Sequence, residues 1–432
     1  MNNSVVPIGA AEAIEELPGV SVSTSSACRS CEAPLVHSFV DLGMTPLCQR
    51  QIPADGLNDA EVFYPLHAYV CHECFLVQID QYVSPAEIFD DSYPYFSSCS
   101  ASWLEHAERY VEHMVSDYQI AADSFVVEIA SNDGYLLQHF LRRGVPCLGV
   151  EPAAAVAAVS VAQGIETERA FFGLDTARRI REERQAASLI LGNNVLAHAP
   201  ELHDFVAGVK CLLADDGIFT FEFPHLLALM DNNEFDTIYH EHFCYFSLQA
   251  VTRVLAFHGL EVFDVRELPT HGGSLRIYGQ HQQGEKATSA AVLALANKER
   301  AAGLFDLGTY RGFQDGVDSI KYALLTFLIE QRKAGRQVVG YGAPGKGNTL
   351  LNYCGIRRDL LAYTVDAAKS KQGTYTPGTH IPIYAPEYIG RTRPDYILIL
   401  PWNLSEEIVE ALAYARSWGA KFVVAIPELR VF

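Results

Sequence analysis

Two Cys-x-x-Cys pairs, Cys28 with Cys31 and Cys71 with Cys74, are the plainest chemical feature of the chain. Two such knuckles present four thiolates tetrahedrally, the arrangement zinc prefers. A closed four-thiolate site leaves no position for water, so its expected role is folding rather than catalysis. Neither pair opens a helix after a strand, which is the setting of a redox dithiol. His37, His67 and His72 lie nearby and are read as ordinary surface or core residues.

A second pattern runs from Val126 to Tyr135, where an apolar strand carrying Glu128 gives way to the small, polar turn Ala130-Ser131-Asn132-Asp133-Gly134 and then a helix. Small residues let a ligand approach the backbone. The next strand, Cys147–Val150, ends at Glu151 and Pro152, with the acid placed to accept hydrogen bonds from ribose hydroxyls. An acid about 20 residues beyond such a turn also serves dinucleotide sites, so spacing alone does not separate NAD from S-adenosylmethionine. Two features favour the methyl donor. The turn lacks the first two glycines that seat a pyrophosphate on a helix end, and Asn193 and Asn194 end a later strand where an amide could meet the donor's amino-acid part.

The third pattern is Tyr239-His240-Glu241-His242. It gathers a phenol, two imidazoles and a carboxylate, groups suited to moving protons near neutral pH. Any one of them could simply pack an interface; together they read as an active-site cluster. In an extended strand Tyr239 and Glu241 would share a face opposite His240 and His242. A helical turn would relax that separation, and the sequence leaves both open.

These groups must be held by more than one core, because 432 residues exceed what a single domain usually contains. We expect an arm over residues 1–26, a zinc-binding domain over 27–90, a methyl-donor domain over 91–285 and a second Rossmann-like domain over 286–432. The fold class is α/β. Apolar runs at Ser124–Ala130, Cys147–Glu151, Ala187–Leu191 and Gly217–Phe223 alternate with helical patterns, which predicts a parallel sheet. The rhythm returns after a helical stretch at 286–335, with strands at Gln337–Tyr341, Ala362–Asp366, Tyr396–Leu400 and Phe422–Ile426.

Composition narrows the partners. The 52 acidic and 32 basic side chains give a net charge of -20, which argues against nucleic-acid binding. No run reaches the roughly 20 apolar residues of a membrane span, and the start does not read as a signal peptide. Ten cysteines are too few for a disulfide scaffold, so paired thiols suggest metal in a reducing compartment. A cytoplasmic monomer is expected.

Taken in order, the metal knot, the Ser-Asn-Asp-Gly turn and the Tyr-His-Glu-His segment resemble the sugar C-methyltransferases of antibiotic deoxysugar pathways. So do Tyr93 to Ser98, Thr270 to Arg276, Gly342 to Asn348 and Pro401 to Leu404. The resemblance runs from about residue 27 to the end. It implies a dTDP-linked 4-keto sugar as substrate, methylated at carbon 3 or, less favoured, carbon 5. It also implies His242 as general base, with Tyr239, Glu241 and His198 lining the same cleft. Donor contacts would come from Glu128, Ala130, Asn132, Asp133, Gly134, Glu151, Pro152, Asn193 and Asn194. Tyr93, Ser97, Arg276, Lys346 and Asn348 would contact the sugar nucleotide.

Carbon methylation needs a carbanion equivalent, and a ketone beside the target carbon stores the charge as an enolate. A histidine suits the proton abstraction, and Tyr239 or a protonated His198 suits the enolate oxygen. A rival reading comes from Val338 to Gly347, which matches Gly-x-Gly-x-x-Gly after a strand, with Asp366 about 20 residues on. Alone, this predicts an NAD-dependent sugar-nucleotide dehydrogenase. A purely structural glycine-rich turn, or a zinc-knuckle interaction module on a vestigial methyltransferase fold, are further alternatives.

Overall fold

A computed structural model describes residues 26–90 and 96–432. The expected arm therefore lies, apart from Ser26, outside the described residues, as does Tyr93. Three sheets organise the chain. The first is antiparallel and begins with His37–Thr45 (β1), Tyr64–Val70 (β2) and Val77–Ile79 (β3). Its fourth strand, Cys244–Tyr245, comes from far along the chain and pairs with β3. Phe75, just after the second cysteine knuckle, takes φ 59°, and the strand starts at Val77.

The central sheet holds Val126–Ile129 (β4), Cys147–Val150 (β5), Thr167–Glu168 (β6), Ala187–Asn193 (β7) and Leu213–Pro224 (β8). Counting Cys244–Tyr245 as β9, it is completed by Leu260–Leu268 (β10) and Ser274–His281 (β11). The order is β10-β11-β8-β7-β4-β5-β6. The strands from β6 to β8 run parallel, and β11 enters antiparallel against β8. The four strands read from apolar runs are present. The antiparallel pair β10–β11 is an addition to the expected parallel sheet.

Before this sheet stands the helix Ala101–Asp117, capped by the Ser100 hydroxyl, which accepts from the Trp103 N–H at 3.3 Å. Ala107, Tyr110, Val111 and Met114 recur at helical spacing, so one face is apolar. That face is buried against Val126, Leu189, Ile218 and Tyr278. The first turn of the same face carries Trp103, packed against that cluster, and His106 at its margin lies 2.8 Å from Glu222 of β8.

The third sheet contains Val338–Tyr341 (β12), Thr364–Val365 (β13), Ile383–Tyr384 (β14), Tyr396–Ile399 (β15), Lys421–Val424 (β16) and Arg430–Val431 (β17). Its order is β14-β13-β12-β15-β16-β17, parallel except for the last strand. The stretch at 286–335 forms helices Ala290–Ala301, Leu307–Arg311 and Phe313–Lys333, as its composition predicts. No helix among the described residues is long and apolar enough to cross a membrane.

Candidate functional site

The four knuckle cysteines converge. Their sulfurs all lie within 4.8 Å of one another, with Cys28 Sγ and Cys74 Sγ 3.5 Å apart and Cys31 Sγ and Cys71 Sγ likewise 3.5 Å apart. Those spacings fit four thiolates around one zinc ion. The knot also reaches outward. Gln78 of β3 donates its amide to Cys28 Sγ at 3.1 Å, and its side-chain oxygen accepts from the Arg29 N–H at 3.0 Å. Gln78 pairs with Cys244, so β9 and the residues just before it hang on the zinc site.

At the central sheet, strand order reverses between β4 and β7, and ligands of open α/β sheets settle outside the carboxyl ends at such a reversal. The turn Ala130–Gly134 follows β4 there, and Asn193 and Asn194 end β7. Three non-glycine residues hold left-handed backbone: Ala130 (φ 55°), Asn132 (φ 51°) and Asn194 (φ 56°). Each costs about 1 kcal/mol, and such strain concentrates at ligand sites. Glu151 braces the turn by accepting the Asn132 N–H at 3.0 Å and the Ala153 N–H at 2.9 Å, with Pro152 half-buried between them. Burial, opposed by those two donors, raises its carboxyl. Burial, then Asp133 and Glu151, pushes the Glu128 carboxyl well up.

Several polar atoms here have no hydrogen-bond partner among the described residues: Ser131 Oγ, Asp133 Oδ1 and Asn194 Oδ1. The Asp133 and Asn194 oxygens only accept and the Ser131 hydroxyl does either, which suits ribose hydroxyls and an ammonium better than a pyrophosphate. The residues present therefore fit an S-adenosyl amino acid. Ser97, expected at the sugar, sits on this turn: its N–H donates to Asn132 Oδ1 at 2.8 Å, and the Ser98 N–H donates to Asp133 Oδ2 at 3.1 Å. Asn193 donates to the Tyr135 hydroxyl at 3.0 Å.

The Tyr-His-Glu-His segment is neither a strand nor a helix. The His242 N–H bonds the Tyr239 carbonyl at 2.9 Å, closing a turn that brings the two rings to 4.0 Å. His242 Nδ1 lies 2.9 Å from the Thr237 carbonyl, which can only accept, so Nδ1 carries the proton and Nε2 is left as the basic nitrogen. His198 stacks on the same ring at 4.9 Å. Burial, reinforced by His198, His271 and Lys346, holds His242 well below the usual histidine range. Burial alone takes His198 down to about 4, so it is neutral rather than the protonated donor expected. His240 turns away to the Pro65 carbonyl at 3.1 Å, and Glu241 accepts from the buried Cys48 thiol at 3.7 Å. The segment is clamped on both sides: the Ile79 N–H bonds the Phe243 carbonyl at 3.1 Å, and the Phe243 N–H bonds the Ala197 carbonyl at 2.7 Å.

The glycine-rich loop of the third sheet lies at its own order reversal, between β12 and β15. Asp366, the candidate ribose acid, accepts instead from the Ala343 N–H at 2.7 Å and the Ala368 N–H at 2.8 Å, with Lys371 4.0 Å away. Gly342 has φ 87°, and a Cβ there would meet Pro401 at 2.5 Å. Lys346 donates to Asn403 at 3.0 Å and lies over the Trp402 ring at 4.6 Å. Burial lowers its ammonium, opposed by Asp236 and Glu234. Asn348 is 1% exposed and gives its amide to the Cys48 carbonyl at 2.6 Å. The loop is shaped by this chain's own packing.

Arg276 is 4% exposed, paired with Glu222 and 2.9 Å from His106 Nε2. Burial would raise the Glu222 carboxyl, but Arg276 and His106 outweigh it and hold it at about 2. Sequence reasoning missed Glu222, His106, Trp103 and His271. Trp103 and His106 carried a usable signal, an aromatic and an imidazole one helical turn apart.

Three family models match in series. A zinc-binding domain matches at 28–89, a methyltransferase domain at 103–265 and a C-methyltransferase C-terminal domain at 269–427. The C-methyltransferase NovU of Streptomyces niveus is 34% identical over 404 residues, covering 94% of this chain and 96% of that protein. Among solved structures, a Burkholderia thailandensis 1,6-didemethyltoxoflavin-N1-methyltransferase is 16% identical, with TM-score 0.36 over 48% of this chain and 95% of that one. The magnesium protoporphyrin IX methyltransferase of Synechocystis PCC 6803 is 11% identical, with TM-score 0.32 over 41% and 78%. The chain is an S-adenosylmethionine-dependent methyltransferase with a four-cysteine cluster consistent with structural zinc, and the dehydrogenase reading gives way. The chain belongs to the family of S-adenosylmethionine-dependent C-methyltransferases that includes the Streptomyces niveus protein.

Proposed function

We propose that this enzyme methylates a ring carbon beside the ketone of a nucleotide-linked keto-deoxysugar in antibiotic deoxysugar biosynthesis. A dTDP-linked 4-keto sugar is the substrate we assign, with carbon 3 favoured over carbon 5. The observation that carries this reading is the His242 ring, fixed through Nδ1 and buried beside Tyr239 and His198. In this reading Nε2 takes the proton alpha to the ketone. The Tyr239 hydroxyl and the neutral His198 ring are the groups we place at the enolate oxygen. Glu241 steadies the turn through Cys48. S-adenosylmethionine supplies an electrophilic methyl on its sulfonium, and alignment of that methyl with the carbanion accounts for much of the rate.

Glu128, Ala130, Asn132, Asp133, Gly134, Glu151, Pro152, Asn193 and Asn194 are assigned to the donor, with Ser97 at their margin. Lys346 is assigned to the diphosphate, exchanging its bond to Asn403, with Asn348 supporting the same helix start. Arg276 acts indirectly, through Glu222. The division of labour follows a zinc domain at 27–90, a donor domain at 91–285 and a sugar-nucleotide domain at 286–432, in a cytoplasmic monomer.

The test is exchange of the alpha proton for deuterium, followed by NMR, on a dTDP-4-keto-deoxysugar with S-adenosylhomocysteine in place of the donor. Wild type should wash deuterium into one ring position. His242→Gln should bind S-adenosylhomocysteine normally and lose the exchange. Undiminished exchange in that variant removes His242 from the base role.

A further inference from the structure

The geometry points to His271 as a positioning residue that fixes which end of the Asn194 amide faces the methyl donor, so that the donor's ammonium meets a carbonyl oxygen. The inference rests on the reading that Asn194 lies at the donor's amino-acid end.

Asn194 and His271 come from different loops, one after β7 and one between β10 and β11. Both hold left-handed backbone, φ 56° and φ 57°, a conformation that favours glycine. Asn194 Nδ2 and His271 Nε2 meet at 3.1 Å. An amide nitrogen only donates, so His271 must accept through an unprotonated Nε2. Burial takes the His271 ring down to about 4, which keeps it in that accepting form. The bond uses the amide's NH2 group and leaves Asn194 Oδ1 with no hydrogen-bond partner among the described residues. A lone carbonyl oxygen recognises a cation or an N–H and repels a carboxylate.

The loop that delivers His271 is wedged in place. Gly272 has φ 102°, and a Cβ there would meet Glu234 at 2.4 Å and Trp402 at 2.5 Å. Thr270 donates to Glu222 at 2.8 Å, and the Trp103 ring lies 5.1 Å from the imidazole. Asn193, by contrast, is tied to Tyr135. The neighbouring amides are thus oriented separately, Asn193 by Tyr135 and Asn194 by the connection between β10 and β11.

The experiment is calorimetric titration of S-adenosylhomocysteine, and of its analogue lacking the amino group, into wild type, Asn194→Gly, His271→Gly and the double variant. Glycine suits both left-handed positions, so the folds should hold, as zinc content and thermal midpoint will report. Each single variant should weaken S-adenosylhomocysteine by about tenfold, and the double variant should be no weaker than Asn194→Gly. The amino-less analogue should bind all four proteins alike. His271→Asn, which tolerates the backbone and can accept through its own oxygen, should recover most of the lost affinity. Unchanged binding in Asn194→Gly overturns the placement of Asn194 at the donor. Weakening in Asn194→Gly without weakening in His271→Gly, or additive losses in the double variant, overturns the role of His271 alone.

Discussion

Two sheets in this chain reverse strand order in the same way, and among the described residues the crevice of the central sheet offers more unmet polar atoms for a ligand to satisfy than the other. At the central crevice Ser131 Oγ, Asp133 Oδ1 and Asn194 Oδ1 lack partners, and Ala130, Asn132 and Asn194 keep strained backbone. At the C-terminal crevice Asp366 is consumed by the loop it was expected to serve, and Pro401 fills the space above Gly342. Among the described residues there, Asn348 Oδ1 is the polar atom of the Gly342–Asn348 stretch left over. The fold supplies a crevice; the side chains decide whether it is a site. Matching a glycine pattern says where a backbone turns, and polar satisfaction says whether anything is awaited there.

The sharpest way to break this comparison is at the chemistry beside the first crevice. His242→Gln should lower turnover by about a thousandfold or more, the upper range for removing a general base, while zinc content and donor affinity hold. Retained turnover would show that the reacting carbon lies elsewhere. Next comes a matched pair of acids. Glu151→Ala should weaken S-adenosylhomocysteine about 10- to 100-fold, since it removes the brace of the turn and a charged acceptor. Asp366→Ala should leave that affinity within about twofold and lower the thermal midpoint instead, as a lost buried hydrogen-bond acceptor does. Exchanged outcomes would invert the roles of the two crevices.

A pH series separates them further. Because His242 is held down by burial and its neighbours, the acid limb of kcat/KM should fall below the usual histidine value of about 6.5. His198 and His271 are also depressed, each to about 4. At these two rings the unfolded chain binds protons first, so their own contribution to stability is lost as pH falls from about 6.5 toward 4, while the raised Glu128 and Glu151 carboxyls act in the opposite sense. Thermal melts of wild type and His271→Asn across that window check the sign: the gap between their midpoints should narrow on acidification, and a gap that widens contradicts it. The smallest effect is expected at the second crevice, where Trp402→Phe removes the 2.9 Å bond to Asp236 and should cost about 1 kcal/mol in a chemical melt.

Much of this was legible because local signals and long-range structure agree. Val126–Ile129, apolar but for Glu128, and Cys147–Val150 are short runs buried at all but one position, followed at once by polar turns. The cysteine spacing states its own geometry. Harder to read was anything decided by a partner distant in sequence. Cys244–Tyr245 is two residues long and is a strand only because β3 lies beside it. The 239–242 segment carries no periodicity that could choose a turn over a strand; the Thr237 and Ala197 carbonyls make that choice. Arg276 and Lys346 looked available from sequence because charge usually means exposure. Glu222 and Asn403 hold them inside.

The strand beginning two residues after His242 belongs to the sheet that carries the zinc knot, and this bears on how the chain is made. During synthesis the cysteine knuckles leave the ribosome early, yet β3 gains its outer neighbour only when Cys244–Tyr245 follows. Pairing across such a sequence separation is entropically slow. Metal captured by the nascent N-terminus thus keeps a sheet edge in register until the segment bearing the imidazole arrives to close it. Zinc scarcity would be felt as misassembled catalyst, although four cysteine ligands leave the ion no open position for a substrate.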